Sequence, residues 1–243
     1  MDINYWIVPG VLIILLAGFV QGVTSFGFAL ISLPLLTLFL PLQQVVPLIV
    51  ILSLLTNIAI LFNCYKHVII HRIGLLVLSG IAAVPLGSYL LIYVNEAVLK
   101  VFAGAFIALV AVFMLMGKTY PVRNEKLAFV SVGLASGLLN GSISLSGPPV
   151  ALFLSNQGTD KQTFRANLTV YALILNVFTI STFLYNGLLN RAVASALSWM
   201  IPAMIVGVVL GIWTGSKINE KIFKRLVLVL IMVSGVWTIV TGL

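Results

Sequence analysis

GLLNGSISLSGPPVALFL, residues 137–154, breaks an apolar segment with serines, an asparagine, three glycines and a Pro-Pro pair. Glycine and proline weaken a helix, and a backbone group freed inside lipid goes unpaired at several kcal/mol. Such a run is either a loop between two helices or part of a binding site. The rest of the chain decides between the two.

Hydrophobic residues make up 61% of the 243, charged residues only 7%, and the mean hydropathy is +1.22. A soluble domain carries roughly 25% charge. Apolar stretches recur along nearly the whole length, which predicts an all-α, polytopic membrane protein. The short alternating segments of a transmembrane barrel are absent. The first residues, MDINYWIVPG, have no basic n-region, so a cleaved signal peptide is not expected. One cysteine, Cys64, allows neither an intrachain disulfide nor a Cys-cluster metal site. The net charge of +8 is read as cytoplasmic loops and not as a nucleic-acid surface.

Six helices are predicted at 44–64, 74–94, 97–117, 164–185, 196–216 and 222–242, and two longer regions, 4–40 and 127–155, are broken by Gly and Pro. One helix over 4–40 would be about 55 Å long against a hydrocarbon core of roughly 30 Å, so this region cannot be a single simple span. The halves repeat. A shift of 119 residues lays Gly18, Gln21, Gly22, Ser25, Asn57 and Arg72 on Gly137, Asn140, Gly141, Ser144, Asn176 and Arg191. Further on, a shift of 124 lays Gly87, Asn95, Glu96 and Lys100 on Gly211, Asn219, Glu220 and Lys224. Matched polar residues in so apolar a chain point to an internal duplication, with residues 1–117 as first repeat, 118–126 as cytoplasmic linker and 127–243 as second repeat.

The clusters Lys66/Arg72, Lys118/Arg123/Lys126, Lys161/Arg165 and Lys217/Lys221/Lys224/Arg225 hold 11 of the 13 basic residues. They share one side only if 127–155 enters and leaves on the same face, as a re-entrant hairpin. The positive-inside rule favours that topology, with both termini outside and only Lys100 and Arg191 on the outer side. By the repeat, 4–40 is the equivalent hairpin. Each half then has a broken-helix hairpin and three full spans, an odd number, so the repeats are inverted. The rival topology makes each broken region one or two ordinary spans, at the expense of the repeat or of the charge distribution.

Inverted repeats with broken helices meeting at the midplane are a recurrent transporter design. Pro148 and Pro149 suit the first turn of a new helix, to about Ser155, and Phe28 to Leu38 is its counterpart. Two opposed helix N-termini form an anion site without buried charge. The expected substrate-binding residues are Gln21, Ser25, Phe26, Gly27, Asn57, Asn140, Ser144, Ser146, Gly147, Pro148 and Asn176. For Asn57 and Asn176 the alternative is a hydrogen bond between helices. For Ser25 and Ser144 it is a bond back to their own helices. Close helix packing is the expected role of Gly87 and Gly211. All five acids, Asp2, Glu96, Glu125, Asp160 and Glu220, fall at predicted helix ends or loops, which disfavours a cation carrier. His67 and His71 are expected at the cytoplasmic interface.

Enzyme motifs fail. GKT at 117–119 lacks the P-loop glycine, with Val112 in its place, and neither Ser144 nor Ser146 sits in a G-x-S-x-G pattern. No catalytic residue, metal or cofactor is expected.

AGFVQGVTSFGFALISLPLL, which opens the first half, and SGLLNGSISLSGPPVALFL, which opens the second, are carried by a two-halved chain of this size. On these the chain resembles the TauE/SafE family of sulfite and sulfonate exporters, also called the toluene-sulfonate uptake permease family. Family members commonly carry a richer Gly-Gly run where Thr24-Ser25-Phe26-Gly27 and Ser144-Leu145-Ser146-Gly147 stand here. The resemblance implies a prokaryotic inner-membrane permease for small sulfur-containing anions. The expected function is a secondary transporter exporting such an anion by alternating access. A passive anion channel and a non-transporting membrane partner subunit are the alternatives. Expected partners are the small anion and membrane lipid, with a homodimer left open and nucleic acid excluded.

Overall fold

The computed structural model describes residues 4–116, 124–157, 160–215 and 220–242, and it is helical, without a strand among them. The expected linker 118–126 lies outside the described residues up to 123, as does Asn219. In the first half, α1 (Asn4–Thr24) turns into the short α2 (Phe28–Leu36), followed by α3 (Leu42–Cys64), a 3-10 turn (Tyr65–His67), α4 (Ile70–Tyr93) and α5 (Glu96–Met116). In the second, α6 (Glu125–Ile143) turns into the short α7 (Gly147–Asn156), followed by α8 (Lys161–Tyr185), α9 (Arg191–Thr214) and α10 (Glu220–Gly242). The order long, short, long, long, long thus occurs twice.

Among the described residues seven helices, α1, α3, α4, α5, α6, α8 and α9, are long and apolar enough to cross a membrane. They also expose large apolar side chains outward, among them Phe62, Leu78, Leu184 and Trp213, which in water would be a liability and in lipid is the expected face. Both broken regions turn where expected, but their arms are unequal. With 21 residues, α1 is about 31 Å long, a full span's worth, while α2 with 9 is about 14 Å. Helices α4 and α9 begin earlier than the apolar stretches at 74 and 196, so that His71, Arg72 and Arg191 fall in their first turns. A long basic side chain can lie along a helix end with its charge in the headgroups.

Glycine dictates how the helices pair. On α1, Gly18 and Gly22 lie against the α9 backbone at Met204 and Val208, and Gly207 and Gly211 of α9 lie against Leu15 and Phe19. The numbers rise together, so α1 and α9 run parallel. On α6, Gly133, Gly137 and Gly141 meet Leu76, Gly80 and Val84 of α4, again parallel, and Gly87 meets Leu138. With no apolar driving force between helices in lipid, backbone contact and close packing hold them, and small residues permit both. Gly87 and Gly211 have the packing role expected of them. In contrast, α5 and α10 run antiparallel, with Gly104 against Gly235 and Lys100 beside Gly242. So do α3 and α8, since Asn167 near the start of α8 accepts from Ile69 N just beyond α3 at 2.8 Å.

Side chains close the helix ends that glycine leaves open. Asp160, Asn124 and Asn190 cap α8, α6 and α9. Glu96 at the start of α5 accepts from Leu42 N at the start of α3 at 3.0 Å and pairs with Lys100 at 2.8 Å. These are the donors a helix N-terminus leaves over.

Candidate substrate site between the two broken helices

Each tip is built on a serine in the left-handed region. Ser25 after α1 has φ 67° and Ser144 after α6 has φ 60°, the only non-glycine residues with positive φ among those described. That conformation usually belongs to glycine, and side-chain-bearing residues there mark turns under constraint. Gly27, at φ 109°, then starts α2. The tips touch, since a Cβ at Gly147 would stand 3.6 Å from Phe26 Cβ.

Between them lies a cavity of about 30 Å³. This is space for roughly two waters. Its wall includes Gln21, Ser25, Phe26, Gly27, Asn57, Ser144, Ser146, Gly147 and Pro148. Nine of the eleven residues expected from the sequence are therefore brought together. Asn140 and Asn176 stand just behind the wall, buried and tied to it.

The ties are amide bonds. Gln21 Nε2 donates to Asn57 Oδ1 at 3.2 Å, and Asn140 Nδ2 donates to Asn176 Oδ1 at 3.1 Å, the same pairing 119 residues later. Asn57 and Asn176 thus hold helices together, and Asn57 also faces the cavity. Ser144 Oγ donates to Val46 O of α3 at 2.9 Å, so its one proton is already used. That differs from the expected ligand donor, and equally from a bond back to its own helix. No such partner is present for the Ser25 or Ser146 hydroxyls among the described residues, and both line the cavity.

The two helix N-termini also differ from the simple expectation. On α2, Gln21 Oε1 takes the Phe28 N–H at 3.0 Å, leaving the N–H groups of Ala29 and Leu30, which also line the cavity. On α7, Pro148 and Pro149 start the helix well but carry no N–H, so of the first three residues only Gly147 can donate. The site is thus a set of neutral donors with no carboxylate among its lining residues.

Two residues escape the sequence reading. Ser53 lines the cavity one turn before Asn57, but its counterpart 119 residues on is Ala172, also in the wall, so no matched pair betrays it. Arg165, expected among the basic loop residues, is partly buried and donates from Nη2 to Gly22 O at 2.8 Å, while its Nε is buried without a partner. A cation at the carbonyl end of α1 complements that helix's dipole.

No curated protein and no solved structure matches the chain. The model of the family described as sulfite exporter TauE/SafE does, over residues 10–238. That stretch contains both tips, the cavity between them and, apart from the first residues of α1, the seven helices named above as able to cross a membrane, and the chain belongs to the TauE/SafE sulfite exporter family of multi-pass membrane transporters.

Proposed function

We propose that the protein is a secondary carrier that exports a small sulfur-containing or organic oxyanion, such as sulfite or a short sulfonate, across a prokaryotic inner membrane. The observation that carries this reading is the cavity walled by both tips, which offers hydroxyl, amide and backbone N–H donors and no carboxylate. Such a site suits an acceptor-rich anion and offers a cation no countercharge. An inside-negative potential assists the exit of an anion by about 2.3 kcal/mol per charge at 100 mV.

The two halves act as inverted repeats, residues 1–117 and 127–243. The opposite sense in which α1 and α6 run supports this: each is parallel to a helix of the other half, and α3 and α8 are antiparallel. Rocking of one half against the other around the tips gives alternating access. In this state the cavity is about 30 Å³, room for roughly two waters, and rocking that parts the tips would open it to either side.

The test is flux of sulfite and of methanesulfonate into proteoliposomes of the purified protein. A carrier saturates, and anion on the far side accelerates exchange. Flux that rises linearly with concentration and ignores the far side would make it a channel. Absence of flux for both would remove the reading.

A further inference from the structure

Two runs of hydrogen bonds, one from each half, end on the same oxygen. The first starts from a donor that cannot be reversed, the Phe28 backbone N–H, which donates to Gln21 Oε1 at 3.0 Å. That fixes the Gln21 amide, so its Nε2 faces Asn57 Oδ1 at 3.2 Å and Asn57 turns Nδ2 to Ser53 Oγ at 3.4 Å. The second run is anchored on Thr179, whose single proton goes to Leu175 O at 2.9 Å. Thr179 Oγ1 must then accept, and it does so from Asn140 Nδ2 at 2.8 Å. The same nitrogen reaches Asn176 Oδ1 at 3.1 Å, and Asn176 presents Nδ2 to Ser53 Oγ at 3.2 Å.

A serine oxygen has two lone pairs and one proton. Amides from α3 and α8 occupy both lone pairs of Ser53. Among the described residues no acceptor takes its proton, not even the carbonyl one turn back in α3, where a helical serine commonly bonds. Ser53 lines the cavity and is partly exposed, whereas Asn57 and Asn176 are buried.

We propose that Ser53 is a substrate-binding residue whose hydroxyl is compelled to donate into the cavity. Because both lone pairs are taken, it can meet only an acceptor there: an ionised oxygen of an oxyanion fits, while an ammonium or the O–H of a protonated acid does not. A polar group held in one sense discriminates more sharply than an apolar wall, since the wrong ligand leaves it unpaired. The two amides that impose this sense come from different halves, and position 172 is Ala, so the donor is single and off the symmetry of the repeat. The ligand class rests on the anion-carrier reading above.

Calorimetric titration of the purified protein with sulfite and with methanesulfonate tests this, together with melting of the ligand-free protein. Ser53→Ala is expected to weaken anion binding by about 10–150-fold, the loss of one hydrogen bond to a charged group. Ser53→Thr keeps the hydroxyl and is expected to bind close to wild type. Wild-type affinity in Ser53→Ala would overturn the assignment of Ser53 and leave the carrier reading standing. Equal weakening in Ser53→Thr and Ser53→Ala would also overturn it, assigning Ser53 to packing. If the wild-type protein binds neither anion, the anion-carrier reading falls and Ser53 loses its ligand with it.

Discussion

Ser25 and Ser144 occupy matched places in the two tips with nearly equal φ, yet their hydroxyls have different uses. Ser144 spends its proton on Val46 O, and Ser25 keeps its own for the cavity. Ser25→Ala should therefore weaken sulfite binding about tenfold or more with little change in melting, while Ser144→Ala should lower melting and change affinity less. A titration and a melt on each variant separate the two. The backbone contribution at Ser144 can be isolated too. Ser144→Gly and Ser144→Ala both lose the Val46 bond, but only glycine is at ease at φ 60°, so the glycine variant should be the more stable by roughly 1 kcal/mol. Most of this site was legible because a polar residue in lipid is costly and a repeated one doubly so: Gln21, Asn57, Asn140 and Asn176 stand out for that reason. What the sequence leaves open is the direction of each proton. That depends on carbonyls such as Val46 O, which come from another helix and have no side-chain signature. Ser53 is hidden for a related reason, since its counterpart is an alanine and its role arises only when α3 meets α8.

The packing role that the sequence suggested for Gly87 and Gly211 extends to Gly18, Gly22, Gly133, Gly137, Gly141 and Gly207, which together form the contact surface of the long helices. The number and order of helices follow from apolar length, and their turns follow from Gly, Pro and Ser at the tips. Their partners do not follow, because a glycine face fits any other small-residue face. A methyl group at Gly137 would collide with Gly80 O, and one at Gly211 with Phe19 O, whereas one at Gly74 meets nothing within 4 Å. Gly137→Ala and Gly211→Ala should each destabilise by about 1–3 kcal/mol or block folding. Gly74→Ala should be neutral or stabilising by up to about 1 kcal/mol, as judged by melting in detergent. The start of α8 adds a pH response. The Thr163 hydroxyl and N–H, with the Gln162 N–H, hold the Asp160 carboxyl below its ordinary value of 3.8. A lowered folded value means the cap contributes fully above about pH 4 and is lost as the pH falls through that lower value. Asp160→Asn, which still caps, should flatten this acid limb in melts taken from pH 6 down to pH 3.

Across the whole molecule, the main pairings of long helices cross from one half to the other. The long tip helix of the first half, α1, lies on α9 of the second, and α6 of the second lies on α4 of the first. Residues 1–117 expressed alone should therefore fail to yield stable protein, and co-expression with 124–243 as a separate chain should restore it, read as folded complex by size-exclusion chromatography. Orientation has its own check: with the basic clusters inside, a reporter active only in the cytoplasm and fused after α10 should be silent. The crossed pairing also sets a clock on biogenesis. When α6 leaves the ribosome, α4 is already in the membrane to receive it. For α1 the order is reversed. Gly207, which closes against Leu15, is made roughly 190 residues later, about 10–40 s at the usual pace of synthesis. Through that interval the first tip waits in the bilayer with the glycine face of α1 bare. Two chemically similar tips thus mature under different conditions, and the first is the one that an insertion chaperone would need to shield and that slowed translation would harm.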